Sequence, residues 1–103
     1  IAREEIFGPL ACVLRATDYE HALALCNDTP FGLCAGICTN SLKHAMHFRR
    51  HAEVGMVMVN LPTAGVDFHV PFGGRKGSSF GPREQGRYAA EFFTTVKTQY
   101  TLA

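Results

Sequence analysis

The residue types best suited to binding a charged ligand lie in a glycine-rich run, residues 71–81, in which Arg75 and Lys76 follow two adjacent glycines. Glycine amides beside two cations are the components of a phosphate cradle. The Walker pattern is absent, because Gly77 rather than Ser or Thr follows Lys76. The dinucleotide fingerprint is also absent, because the two glycines are adjacent and no strand immediately precedes them. The run therefore favours a tight glycine turn that packs backbone against backbone.

Three histidines form a second candidate site. His44, His47 and His51 are spaced by three and four residues, so they would project from one side of a helix, a geometry that can bind a metal ion. No Cys, Asp or Glu joins them at a suitable spacing, and Arg49 and Arg50 lie beside them. The pattern therefore favours a solvated helix face and no metal site.

The four cysteines, Cys12, Cys26, Cys34 and Cys38, are the remaining nucleophiles. They are too sparse for a secreted disulfide scaffold and lack the paired spacing of a zinc site, which favours a reducing, cytoplasmic environment. We expect all four thiols to pack as small apolar groups in the core.

Composition limits the classes of function. The 103 residues are 47% hydrophobic and carry a formal charge of +1, so the chain forms one domain or part of one. Its interspersed charges offer no basic surface for nucleic acid or an anionic membrane, and no apolar stretch is long enough to span a bilayer. The chain begins at Ile1 rather than Met, and we expect it to be a piece of a longer protein.

Two alternating periodicities predict an α/β fold. Apolar runs typical of strands occupy residues 10–15, residues 31–39 and Met56–Val59, and helical patterns separate them. The order strand, helix, strand, helix, strand predicts right-handed crossovers and a partial parallel βαβαβ sheet.

Local signals predict the ends of both helices. Thr17 and Glu20 form a capping-box pattern at the start of the first helix, and Pro30 closes it. Ser41 is the predicted N-cap of the second helix, which runs to about Ala52. Its predicted inner face carries four apolar residues: Leu42, Ala45, Met46 and Ala52.

The second half of the chain has a different character. Proline, glycine and short polar residues dominate residues 61–82, which predicts a long shaped loop, and Pro82 suits the first turn of a short helix. Residues 94–102 then alternate apolar and polar side chains, which predicts a strand with one wet face. Its free edge can accept a strand from another subunit.

Four motifs occur in order along nearly the whole chain: residues 4–9 (EEIFGP), 55–60 (GMVMVN), 71–79 (PFGGRKGSS) and 95–98 (TVKT). Together they resemble the C-terminal portion of the aldehyde dehydrogenase superfamily. Residues 61–66 and 80–86 are further similar to the 2,5-dioxovalerate, or α-ketoglutarate semialdehyde, dehydrogenases.

The resemblance implies the C-terminal part of an NAD(P)-dependent enzyme that oxidises an aldehyde to a carboxylate. In that family a cysteine thiolate attacks the aldehyde, hydride passes to the nicotinamide, and a glutamate-activated water hydrolyses the thioester. The nucleophile, the general base, the oxyanion asparagine and the dinucleotide turn all lie upstream of the matched segment. We therefore expect no catalytic residue in this chain and no activity from it alone.

The resemblance also implies roles for particular residues. Glu5 matches the glutamate that binds the nicotinamide ribose, and Phe7 matches the aromatic beside the nicotinamide. Phe72 matches an aromatic wall of the substrate tunnel, and the preceding variable loop makes Pro62 and Thr63 weaker candidates for substrate contact. Residues 94–103 match the oligomerisation strand, and residues 1–93 match part of the catalytic domain.

Two other functions stay open from the sequence. One is a free-standing binding or assembly module that pairs with other subunits through its last strand. The other is a small independent enzyme with a Cys–His pair, for example Cys38 with His44.

Overall fold

The computed structural model describes residues 1–103 and contains a small parallel sheet. Strands β1 (Cys34–Ile37) and β2 (Met56–Val59) pair in parallel, with Cys34 opposite Met56 and Ile37 opposite Val59. Helix α2 (Leu42–His51) connects them, and helix α1 (Tyr19–Asn27) precedes them. The α/β class and the parallel pairing are as predicted, but the sheet has two strands rather than three.

The missing strand is the one predicted at residues 10–15. These residues lie outside any helix or strand, and Val13 is 96% exposed. A strand is stable only when its amides and carbonyls pair with a neighbouring strand. The apolar run has no such partner within the chain, so the prediction is wrong for this chain by itself.

The N-cap of helix α1 lies one residue later than predicted. The Asp18 carboxylate accepts a hydrogen bond from the His21 amide at 2.7 Å, and the Thr17 hydroxyl donates to Asp18 at 3.1 Å. These two bonds, the amide first, hold the pKa of Asp18 below its usual value. Aspartate is therefore the N-cap, and the Thr17–Glu20 capping box is wrong. The helix ends at Asn27, three residues before Pro30, as predicted.

Helix α2 has the predicted ends but a different inner face. The Ser41 hydroxyl accepts a hydrogen bond from the His44 amide at 3.2 Å, and the helix ends at His51. Leu42 and Met46 are exposed, whereas Phe48 and, as predicted, Ala52 are the buried apolar residues of the chain. His44 stacks on Tyr19 of α1, and residues four apart share a helix face. Phe48 and Ala52 therefore lie on the same inward face of α2 as His44.

The centre of the molecule is a contact between glycine backbones, which we call the glycine junction: Gly32, Gly55, Gly73 and Gly74. The amides of Gly55 and Arg75 both donate to the Gly32 carbonyl, at 2.9 and 2.8 Å. A methyl group on Gly55 would lie 1.9 Å from the Gly73 carbonyl oxygen. Only a residue without a side chain fits at that distance, which confirms the prediction of backbone packed on backbone.

The segment after the junction also departs from prediction. Phe72 and Glu84 form an isolated antiparallel bridge, with N–O distances of 2.7 and 2.8 Å. The short helix α3 (Ala89–Phe93) therefore begins well after Pro82, beyond a 3₁₀ turn at Gly86–Tyr88; a second 3₁₀ turn spans Lys76–Ser78.

Residues 94–103 form no helix or strand within the chain. Three of their apolar side chains, Val96, Tyr100 and Leu102, are almost fully exposed. The chain is 70 Å long, and its radius of gyration is 17.8 Å, against about 13 Å for a compact domain of this length. Alternating apolar side chains thus extend from the body of the molecule without a partner in this chain. None of the helices has the length and apolar character needed to cross a bilayer.

Candidate functional site

An open, mostly apolar cleft of about 630 Å³ lies between the N-terminal segment and β1. This volume falls in the range of small-molecule sites, roughly 300–1,000 Å³. Glu5 and Phe7 line the cleft together with Phe31, Leu33 and Cys34. The structure therefore places both predicted cofactor residues at one cavity.

Glu5 contributes an unused carboxylate to this cleft. The two ion pairs of the chain are Arg3 with Asp28 and Lys76 with Glu53, and neither involves Glu5. Its side chain also makes no hydrogen bond within the chain. Both of its oxygens are free to accept donors, and a carboxylate can bind two hydroxyl groups at once.

Phe7 has an unusual backbone conformation. Its φ angle is 51°, in the left-handed region that bulky residues avoid at a cost of about 1–3 kcal/mol. Its side chain is 90% exposed, so packing within the chain does not offset that cost. The ring is available to a group that enters the cleft.

Three thiols share the cleft, although sequence reasoning assigned them to the core. Cys12, Cys26 and Cys34 line it, and all four cysteines are free. Burial raises the pKa of the Cys26 thiol, with the Lys76 charge acting in the opposite direction, so this thiol stays protonated. Cys12 and Cys38 are exposed, so the core prediction is wrong for both.

Two of the three histidines, His44 and His47, pack against Tyr19 of α1, and the His51 ring stacks on His47. The Tyr19 and His44 rings stack with centroids 4.3 Å apart, His47 and His51 stack at 4.0 Å, and the Tyr19 hydroxyl lies 2.8 Å from His47 Nδ1. No group of three or more His, Cys, Asp or Glu side chains has a geometry that could hold a metal ion. Because His44 stacks on Tyr19 and makes no hydrogen bond with Cys38, the structure provides no Cys–His pair.

The predicted substrate residues lie apart from the cleft. Phe72 is half-buried in its bridge with Glu84, while Pro62 and Thr63 are exposed, and none of the three lines the cleft. Thr63 is nevertheless connected to β1, because the Cys34 thiol donates to the Thr63 carbonyl at 3.5 Å.

Lys76 is used structurally rather than for phosphate binding. Its ammonium donates to the Asn27 carbonyl at 2.6 Å and lies 2.9 Å from Glu53 Oε2. The hydrogen bond from Lys76 to the Glu53 carboxylate, and then the positive charge of Lys76, lower the pKa of Glu53. The Asn27 side chain also joins the end of α2, because its amide donates to the His51 carbonyl and its oxygen accepts from the Glu53 amide, both at 2.9 Å. The only sequence signal for Asn27 is its place at a helix end.

Comparison with known proteins identifies the class to which this fold and cleft belong. The profile of the aldehyde dehydrogenase family matches residues 1–99, so the chain belongs to the aldehyde dehydrogenase family. The α-ketoglutaric semialdehyde dehydrogenase of Bacillus subtilis is 43% identical over 100 residues, covering 97% of this chain and 20% of the relative.

Two further relatives are also aldehyde dehydrogenases. The α-ketoglutarate semialdehyde dehydrogenase of Haloferax volcanii is 45% identical, covering 97% of this chain and 21% of its own length. The crystal structure of an NAD-dependent aldehyde dehydrogenase from Sinorhizobium meliloti superposes with a TM-score of 0.82 and 36% identity, covering 93% of this chain and 19% of that one. The chain thus spans about a fifth of the length of these relatives.

Proposed function

We propose that this chain is the C-terminal part of the catalytic domain of an NAD(P)-dependent aldehyde dehydrogenase that oxidises α-ketoglutarate semialdehyde to the carboxylate. The observation that carries the proposal is the pairing of an unused carboxylate, Glu5, with an exposed aromatic ring, Phe7, at one apolar cleft. The named activities of the two semialdehyde relatives support the substrate.

The cleft residues fit a nicotinamide cofactor. A ribose offers two neighbouring hydroxyl donors, which the free Glu5 oxygens can accept, and an aromatic ring such as Phe7 limits the movement of a planar nicotinamide. When bound, the cofactor supplies a hydride acceptor. Holding its reactive end in place matters because a displacement of about 1 Å is enough to cost roughly a hundredfold in rate.

The small core of this chain supports the proposal that it acts within a larger protein. Only Phe48 and Ala52 form a buried apolar core, whereas large side chains such as Phe80 and Phe93 are exposed. Exposed apolar area of this kind marks a surface that another part of a protein covers. As the family resemblance implies, the nucleophile and the general base in this proposal belong to the part of the enzyme upstream of this chain.

Substrate selection is assigned to the loop that precedes the glycine junction. Pro62, Thr63 and Phe72 are its proposed contacts, with Phe72 forming an aromatic wall and its bridge to Glu84 holding that wall in place. None of the three residues lines the cofactor cleft, so in this proposal cofactor and substrate are bound by separate parts of the chain.

The test is the activity of the full-length protein that carries this chain. We expect it to form reduced nicotinamide from α-ketoglutarate semialdehyde faster than from aromatic aldehydes, and the isolated chain to form none. NAD and NADP are assayed separately. A native gene product of about the mass of this chain, with no aldehyde oxidation, would overturn the proposal.

One observation favours a second function, a subunit-assembly module. The alternating apolar residues Val96, Tyr100 and Leu102 are exposed and have no partner within the chain. An extended segment of this kind can add to the edge of a neighbouring sheet. Both functions are compatible if the dehydrogenase forms oligomers through residues 94–102.

A further inference from the structure

The loop that follows β2 rests on one face of β1. Side chains two apart share a strand face, so Cys34 and Gly36 point to the same side. Both contact Thr63: the Cys34 thiol donates to its carbonyl at 3.5 Å, and a methyl group placed on Gly36 would lie 3.0 Å from its Cγ2. Gly36 and Cys34 therefore form the seat of this loop.

The backbone of Gly36 does not itself require glycine. Its φ angle lies outside the left-handed region occupied by Gly65 and Gly81, and its neighbours in the sheet allow a side chain, since Met58 Cβ would be 3.8 Å away. The one tight contact of an added methyl group is with Thr63. The absence of a side chain at position 36 is thus a requirement of the loop rather than of the strand.

The loop is the weaker side of this contact. Strand β1 is held by its ladder with β2 and by the glycine junction at Gly32. Residues 61–70 make three hydrogen bonds. The Cys34 thiol donates to the Thr63 carbonyl, the Val70 amide to the Asp67 carbonyl, and the Gly86 amide to the Phe68 carbonyl. A methyl group at position 36 would therefore displace Thr63 by a few tenths of an ångström and leave the sheet in place.

We infer that Gly36 is a specificity-determining position, which sets the height of the substrate loop above β1 through its contact with Thr63. The inference rests on the proposed function, in which this loop contacts the aldehyde. Gly36 touches neither substrate nor cofactor in this scheme, so it is a positioning residue.

The test is a double-mutant cycle in the full-length protein with Gly36→Ala, Thr63→Ser and the double variant. Thr63→Ser removes the Cγ2 atom that the new methyl group meets but keeps the hydroxyl and the carbonyl. We expect Gly36→Ala to change the kcat/KM ratio between α-ketoglutarate semialdehyde and an uncharged aliphatic aldehyde by about three- to tenfold. In the Thr63→Ser background the same substitution should change the ratio by less than about twofold, and KM for the nicotinamide cofactor should stay constant throughout.

A second readout does not depend on activity. Displacement of the loop lengthens and weakens the hydrogen bond from the Cys34 thiol to the Thr63 carbonyl. Labelling of Cys34 by a maleimide, mapped by mass spectrometry, should therefore be faster in Gly36→Ala and return to the original rate with Thr63→Ser. Labelling of the exposed Cys38 serves as the internal reference.

The outcomes separate the two proposals. If the unsubstituted protein oxidises no aldehyde, the proposed function fails, while Cys34 labelling still tests the seat. An unchanged ratio and an unchanged Cys34 rate in Gly36→Ala would overturn the inference. A change of equal size in both Thr63 backgrounds would also overturn it, as would a loss of folding that Thr63→Ser does not repair.

Discussion

The glycine junction and the two terminal segments, residues 1–15 and 94–103, differ in how many of their groups are buried or hydrogen-bonded within this chain. At the junction, three glycines are buried, and the Gly32 carbonyl accepts two amide donors where the loop meets the strands. The terminal segments contain apolar side chains that are almost fully exposed, including Val13 and Leu102. Sequence patterns in the first region have their partners inside the chain, whereas the apolar residues of the second region stay exposed.

The largest expected effect comes from placing the same substitution in both regions. Gly55→Ala puts a methyl group 1.9 Å from the Gly73 oxygen, whereas Gly8→Ala meets nothing within 4 Å. Because the obstruction is backbone, we expect Gly55→Ala to destabilise the full-length protein by about 3 kcal/mol or more, with loss of soluble protein. Thermal unfolding of the two variants checks this expectation, and equal Tm values would show that the junction is not tightly packed.

The next prediction asks whether the C-terminal segment has its partner in another subunit. Removing residues 94–103 from the full-length protein should shift it to smaller oligomers, because burial of Val96 and Tyr100 is worth about 25 cal/mol per Å². Light scattering at equal concentration measures the mass. As a matched pair, Tyr100→Asp should act like the deletion and Gln99→Asp should not, since position 99 lies on the opposite face. An unchanged mass after deletion would mean that the segment pairs within its own subunit.

The N-terminal segment is tested through its unused carboxylate. Glu5→Gln should lower kcat/KM by about ten- to a hundredfold in the full-length enzyme, which corresponds to the roughly 1.5–3 kcal/mol of a charge-assisted hydrogen bond. The fold should persist, because Glu5 has no partner in the chain. Steady-state kinetics with the cofactor varied is the measurement, and Glu4→Gln is the neighbouring control with a smaller expected effect. Unchanged turnover and cofactor affinity would remove Glu5 from the site.

The smallest effect concerns the ion pair beside the junction. Lys76 lowers the pKa of Glu53 in the folded state, so the pair stabilises the protein above the usual glutamate pKa of about 4.3, and this contribution is lost as the pH falls through the lower folded value. The Tm difference between wild type and Glu53→Gln should therefore be largest near neutral pH and shrink in acid. Lys76→Gln is the control background, in which Glu53→Gln should have little effect at any pH. A difference that grows in acid would contradict the assignment.

These contrasts explain which sequence predictions succeeded. The C-terminal end of α1 was predictable from the Asn27–Pro30 stretch and the N-terminal end of α2 from Ser41, because capping and termination involve neighbours in sequence. The first cap was misassigned because Thr17 and Asp18 are both good N-caps, and only the structure selects the carboxylate. The run at residues 10–15 has strand character but no neighbour, and a strand needs both.

The candidate site divides in the same way. The motif around Glu5 and Phe7 predicts cofactor contacts, and the structure places both residues at one cleft, while their role in cofactor binding stays a prediction. The Lys76–Glu53 ion pair and the contact of Thr63 with Gly36 join residues more than twenty positions apart, so no local sequence pattern predicts these contacts. The role of these contacts in selecting an aldehyde stays a prediction.

The sequence by itself determined the family and the parallel βαβ unit, because each depends on short-range patterns or on an ordered set of motifs. Tertiary structure alone decided that Phe48 rather than Leu42 is buried, that Lys76 binds Glu53 and Asn27, and that four glycines meet at one junction. The physical reason is that helix caps and turns are stabilised by neighbours along the chain. Burial and long-range hydrogen bonds depend instead on which surfaces the fold brings together.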